Sequence, residues 1–259
     1  MNNTITLIKN RRSLRSFSDR TIEKDTLEEL KKATLQAPTA GAMMFYSIIE
    51  VKDQLLKDKL AVLCDNQEMV AKAPLVWIYL ADSQKWENYY KESGAIERGN
   101  QKGISFRSPG LGDMHLNMQD AIIAAQTTVI AAEALGIGSC YIGDIIENND
   151  IVRPLLNLKK HTIIACMLIM GYPKNENRNL NPGKRCPEEY IFMENEYKEP
   201  HLKEMSLAYK EQEENLRKQN SLPYDNKGTL ADYYYLKKHS SEFMANMNKS
   251  AEAFILNWK

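Results

Sequence analysis

The sequence lacks a charge bias: 34 Lys and Arg residues balance 34 Asp and Glu residues, so nothing overall favours a nucleic-acid partner. Cysteine is scarce. The four, at 64, 140, 166 and 186, are far apart and lack the close spacing of a zinc knuckle or a CxxC redox motif. Cys140 and Cys166 fall in apolar runs, where a thiol behaves as a small hydrophobe. The four histidines, at 115, 161, 201 and 239, match no metal-ligand spacing. No GxGxxG follows a strand-like run, and no GxxxxGK precedes Ser or Thr, so a bound nucleotide needs another kind of cradle. Long apolar runs are missing too. "TIIACMLIM" is too short to span a bilayer, and "AIIAAQTTVIAAEALGIG" carries Gln126 and Glu133. The start, "MNNTITLIKNRR", shows no signal peptide. These absences predict a cytoplasmic protein. At 259 residues the chain can bury a large core, as one large domain or two small ones.

What is present reads as helices interleaved with a few strands. "KDTLEELKKATLQAP" has apolar positions at helical spacing and Pro38 as its stop. "YSIIEV" (46–51) predicts a strand, "DQLLKDKLAVLC" a helix, and "APLVWIYLAD" (73–82) a buried strand. Residues 83–112 form a polar, Gly-containing excursion with one short helix at "SQKWENYYKES". Residues 113–136 are the strongest helix, with a stripe of Met118, Ala121, Ile122, Ala125, Val129, Ala132 and Leu135. Its alanines suit either a central core helix or a dimer seam. "IGSCYIGDIIENND" runs from a short strand into a Gly turn, "NNDIVRPLLNL" is a short helix, and "HTIIACMLIMGYP" is a second buried strand. A polar loop with Lys184 and Arg185 comes next, and then a helical extension at 200–259. The strands are too few for a large doubly wound sheet.

One local feature stands out against the neutral total. "IKNRRSLRSFSDR" places four arginines within thirteen residues. In an extended segment Arg11, Ser13 and Arg15 point one way, and Arg12, Leu14 and Ser16 the other. Two guanidiniums and a hydroxyl converging on one point suit a small anion such as phosphate, because each guanidinium offers a two-pronged donor set. Leu14 and Phe17 can anchor the segment in the core. A solvated basic turn is the alternative, and Arg20 reads as a surface residue.

These motifs, taken in order, resemble the FMN-dependent nitroreductase family over roughly residues 5–195. "RRSLRSF" resembles its N-terminal FMN-phosphate motif. "LEELKKATLQAPTAGAMMFYSIIEV" resembles its first long helix, flavin-contacting loop and first strand. "NQEMVAKAPLVWIYLAD" resembles the next helix–strand unit. The stretch from "MQDAIIAAQ" to "MLIMGYP" resembles its central dimer helix, its Gly turn at the flavin ring and the strand after it. The tail, with "ADYYYLKK" and "FILNW", looks like the larger subgroup of oxygen-insensitive NADPH nitroreductases and flavin reductases.

The resemblance implies a single nitroreductase-like α+β domain over 1–259. Its central, mostly antiparallel sheet is flanked by helices, and two such subunits intertwine as a homodimer with FMN in clefts at the interface. It assigns Arg11, Ser13 and Arg15 to the FMN phosphate, and Lys184 or Arg185 to the same group. Arg12 turns toward the ribityl chain or phosphate, or pairs with the partner subunit. Gln67 faces the pyrimidine edge, and Tyr141, Ile142, Gly143 and Asp144 form the turn beside flavin N5. Thr39 and Met44 lie in the flavin loop, where "APTAGAMMFYS" departs from the family's serine-rich pattern: Met43 and Met44 stand where polar contacts are expected. Hydride from NAD(P)H would pass through N5 to nitroaromatics, quinones or free flavin in ping-pong order, with no catalytic side chain. Arg217, Lys218 or Lys227 could favour NADPH. The alternatives are another flavin-dependent reduction, of an activated alkene or by dehalogenation, and a non-catalytic FMN-binding redox sensor.

Overall fold

A computed structural model describes residues 3–175 and 185–258. The chain separates into two compact units, Met1–Leu180 with Asn246–Lys259, and Asn181–Ala245. The first unit is built on a four-stranded sheet of order β1-β2-β4-β3, with β1 at Tyr46–Glu50, β2 at Leu75–Asp82, β3 at Gly138–Ile142 and β4 at Thr162–Gly171. All three ladders are antiparallel. The helices are α1 (Asn3–Asn10), α2 (Lys24–Thr34), α3 (Gln54–Leu63), α4 (Glu68–Lys72), α5 (Gln84–Glu92), α6 (Ala95–Gln101), α7 (Leu111–Ala134) and α8 (Asn149–Leu155).

β2 and β4 are buried along their whole length because helices cover both faces, which is why they read as unbroken apolar runs. Alternation assigns their side chains. Leu75, Trp77 and Tyr79 of β2 join Leu168 and Met170 of β4 beneath α2 and α7. Val76, Ile78 and Leu80 join Met167 and Ile169 beneath α3, α4 and α8. The ladder slips where Tyr79 opposes Cys166 but Leu80 opposes Ile164. Ala165 is the extra residue, a β-bulge.

The buried face of α7 is Asn117, Asp120, Ala121, Ala124, Ala125, Thr128, Val129 and Ala132. Ile122 does not belong to the buried stripe. It lies one residue, or about 100°, beyond Ala121, and with Leu116 and Ile123 it forms a second, exposed apolar face. The excursion holds two helices, α5 and α6, where the sequence predicts one. Nor does the sequence announce α1; none of its residues is buried, so no core-facing stripe marks it.

The helix Glu242–Trp258 ends in the first unit's third core cluster, where Phe254 and Trp258 meet Ala81 and Ile163. The Trp258 indole donates to the Gly110 carbonyl at 3.0 Å. Both ring nitrogens of buried His161 face acceptors, Glu87 at 2.5 Å and the Trp258 carbonyl at 3.1 Å. Burial alone would raise the Glu87 carboxyl, but hydrogen bonds from Lys91 and His161 outweigh it and hold it below its ordinary value of 4.5. In the second unit, helices Leu202–Ala208 and Lys210–Lys218 are separated at Tyr209, and Leu230–Tyr234 comes after them.

Trp258→Ala should cost about 3–5 kcal/mol in urea denaturation, the range for emptying a fully buried large aromatic site. A depressed carboxyl stabilises the fold above its ordinary titration range and ceases to do so as pH falls through its folded value. From about pH 5 to about pH 3 the wild type should therefore lose more stability than Glu87→Gln.

Candidate functional site

The arginine segment is laid against the open edge of the sheet. Ser13 bridges Ser139 of β3 in parallel, and the Leu14 N–H donates to the Ser139 carbonyl at 2.9 Å. Phe17 then pairs with Pro173, and the Ser18 N–H donates to the Tyr172 carbonyl at 2.9 Å. Phe17 packs on the second core cluster. Its approach requires Gly171: a Cβ there would lie 2.9 Å from the Phe17 ring and 2.8 Å from Pro74. Phe17 thus anchors the segment in the core, while Leu14 is half-buried and held through its backbone, and the segment covers an edge that would otherwise be open.

Its side chains divide unevenly. Ser13 and Arg15 are exposed, while Arg11 and Arg12 are half-buried. The Nε and Nη2 atoms of Arg12 are buried without any hydrogen-bond partner, as is the Ser139 hydroxyl. Desolvated guanidinium donors left unmatched are costly, so this is where the protein is most in need of an anion or acceptor. Arg11 lies within electrostatic reach of Tyr141: burial raises that phenol, the Cys166 thiol raises it further, and the Arg11 charge opposes the rise. Arg15 lines a groove of about 920 Å³ together with Arg20, Lys57, Lys72 and Lys174. Arg20 is a surface residue, as expected; it pairs with Glu23 at 2.6 Å and lies 3.9 Å over the Tyr172 ring.

At the far end of β3 the chain turns. Gly143 is exposed, its φ is −76°, and a Cβ there would meet nothing within 4 Å. Neither its backbone conformation nor neighbouring atoms of the protein require glycine, so this position leaves room for a molecule from outside. Ile142 is buried and Tyr141 exposed, its hydroxyl 3.4 Å from Gln126 of α7. The Gln67 amide, at the N-terminus of α4, donates to Asp144 at 2.8 Å. Two residues singled out 77 positions apart are therefore in direct contact. Cys64 lies beneath them, its thiol pushed up to about 12 by burial, with Asp144 and Glu147 adding, and is inert as a nucleophile.

The Thr39–Phe45 loop is organised from below. Thr39 donates its hydroxyl to Asp120 and accepts the Met44 N–H at 2.9 Å. Its hydrogen is therefore committed within the protein, and only acceptor capacity remains for a ligand. Met44 sits at φ 51° and packs against the first core cluster, so its thioether fills space rather than replacing a polar contact. The Met43 carbonyl accepts from the Trp86 indole at 2.7 Å. Asp120 is the site residue that sequence reasoning missed. Its signal is one acid within the alanine-rich face of "NMQDAIIAAQ". Arg185 is exposed and belongs to the second unit, and Lys184 lies outside the described residues. Among the described residues no His, Cys, Asp and Glu group could hold a metal ion, and no helix is long and apolar enough to cross a membrane.

The fold and this edge site define a helix-covered antiparallel α+β protein with an arginine-bearing segment annexed to its sheet. The family model described as "Nitroreductase family" matches residues 8–172. The chain belongs to the nitroreductase family. It is 34% identical over 199 residues to the FMN reductase (NADPH) of Bacillus subtilis, covering 76% of this chain and 75% of that protein. It is 30% identical over 212 residues to the oxygen-insensitive NADPH nitroreductase of Salmonella typhimurium, covering 82% and 81%. Among solved structures, the NfrA1 nitroreductase of B. subtilis superposes with a TM-score of 0.78 at 27% identity, over 97% of this chain and 98% of that one.

Arg12→Met keeps the apolar stem and removes the unmatched donors. The ligand-free variant should be as stable as the wild type or about 1 kcal/mol more stable in urea. Inorganic phosphate should raise the melting temperature of the wild type and leave that of the variant unchanged.

Proposed function

We propose that the protein is an FMN-dependent oxidoreductase that takes hydride from NAD(P)H and passes it to nitroaromatics, quinones or free flavin. The observation that carries the reading is the pair of buried, unpartnered Arg12 nitrogens in a segment with Arg11, Ser13 and Arg15, anchored to β3. The names of the relatives, an FMN reductase and an NADPH nitroreductase, support it.

In this reading Arg11, Arg12, Ser13 and Arg15 hold the FMN phosphate, with Lys184 or Arg185 as a further cation. Gln67, held by Asp144 through one N–H, presents its amide oxygen and its second N–H to the polar edge of the ring. The Tyr141–Asp144 turn meets the ring where Gly143 leaves space. Thr39 contributes as an acceptor, and Met44 supports the loop from the core side. FMN, when bound, supplies hydride acceptance and donation at N5. The protein binds, orients and excludes water, and no side chain is needed for proton abstraction. Arg217, Lys218 or Lys227 of the second unit favours NADPH over NADH.

We further infer a homodimer. The exposed apolar face of α7, with Leu116, Ile122 and Ile123 between 39% and 49% exposed, is the surface that a second copy would cover. We read the whole chain as one nitroreductase-like domain carrying both units.

The purified protein should hold about one FMN per chain. Arg15→Ala should weaken FMN binding by about 1.5–3 kcal/mol, roughly 10- to 150-fold, in a fluorescence titration. Unchanged affinity would rule out the role given to Arg15.

A further inference from the structure

We infer that Asp120 is a positioning residue: from inside the core its carboxylate holds the Thr39–Phe45 loop against the flavin and sets the flavin's reduction potential. This rests on the proposed function, in which that loop touches the flavin.

Asp120 is 3% exposed and sits on the sheet-facing side of α7. All its partners come from one loop. Oδ1 accepts the Ala40 N–H at 3.0 Å. Oδ2 accepts the Thr39 hydroxyl and the Phe45 N–H, the latter at 3.3 Å. The carboxylate therefore ties the loop's first residues to its last. The hydroxyl it holds in turn holds the Met44 N–H. Between these ties the backbone is left-handed at Gly41, Ala42 and Met44, with φ of 57°, 57° and 51°. Two of the three carry side chains, so this shape persists only because surrounding contacts impose it. The Trp86 indole fixes the loop's other side through Met43.

The charge acts along with the geometry. Burial raises the Tyr46 phenol and the Asp120 charge raises it further. Burial lowers the Lys85 ammonium, opposed by Asp82 and Asp120. The field of Asp120 therefore reaches the residues next to the loop. A buried negative charge on this side opposes the extra electron density of a reduced flavin. Neutralising it makes reduction easier.

The test compares FMN-loaded wild type, Asp120→Asn and Thr128→Val. Thr128 lies on the same face of α7 and bonds Thr34 and Tyr79, two turns from Asp120, so its loss measures plain destabilisation of the helix. Asp120→Asn should raise the flavin midpoint potential, shift its visible band and weaken FMN binding about tenfold. Thr128→Val should lower the melting temperature and leave band and potential in place. If both variants lose only thermal stability, the inference is overturned and the flavin reading stands. If the wild type holds no FMN, both fall. Should Asp120→Asn not fold, Asp120→Glu keeps the charge but displaces the carboxylate from the Ala40 and Phe45 N–H groups. A shifted band and weaker FMN binding then support the inference, and an unchanged band and affinity contradict it.

Discussion

The site depends on how α7 is fixed to the sheet. Its buried face is largely alanine, which allows a close approach, and three polar side chains on that face each hold a different element. Asn117 bonds Ser83 at the end of β2 at 2.6 Å, Asp120 holds the Thr39–Phe45 loop, and Thr128 meets Thr34 of α2 and Tyr79 of β2. Buried polar groups with matched partners specify one arrangement where an all-alanine face would permit sliding. The C-terminus of the helix in turn places the edge strand. Gly136, at φ 76°, closes the last turn of α7, β3 begins two residues later, and Ser139 of β3 receives the arginine segment. The arginine segment and the Thr39–Phe45 loop are thus both positioned by α7, one through the strand that follows its C-terminus and the other through Asp120 in its N-terminal half.

Much of this order is legible in the sequence. Unbroken apolar runs mark β2 and β4 because both faces of the sheet are covered, and the apolar character of Phe17 within a basic stretch anticipates it as an anchor. Arg12 is less legible. Strict alternation turns it away from Arg11 and Arg15, but the segment makes only isolated bridges, at Ser13 and Phe17, and no continuous ladder enforces the alternation. Periodicity puts Ile122 in the core because α7 is apolar on two faces, and it does not say which of them meets the sheet. The Gln67–Asp144 contact and the engagement of Thr39 by Asp120 join residues about 80 positions apart. A single sequence carries no signal for such pairings.

The proposed phosphate site would let a neutral chain bind an anion. With charges balanced overall, its selectivity would come from local desolvation. Unpartnered Arg12 nitrogens are a standing cost to the ligand-free fold, offset when an acceptor arrives. In the proposed flavin site, Gly143 and the left-handed loop around Gly41 would make a comparable trade, giving up side-chain packing or backbone comfort to admit a planar ring. Such departures from local preference are where a scaffold is expected to carry function.

In the proposed function this edge site holds a flavin that accepts electrons from a pyridine nucleotide and gives them up again. The most direct measurement is an anaerobic titration of the purified, FMN-loaded protein with NADPH, then with one equivalent of a nitrofuran or menadione, with the visible flavin band monitored throughout. The nucleotide should bleach the band, and adding the acceptor should restore it fully. A band that neither NADPH nor NADH bleaches would contradict the proposed function.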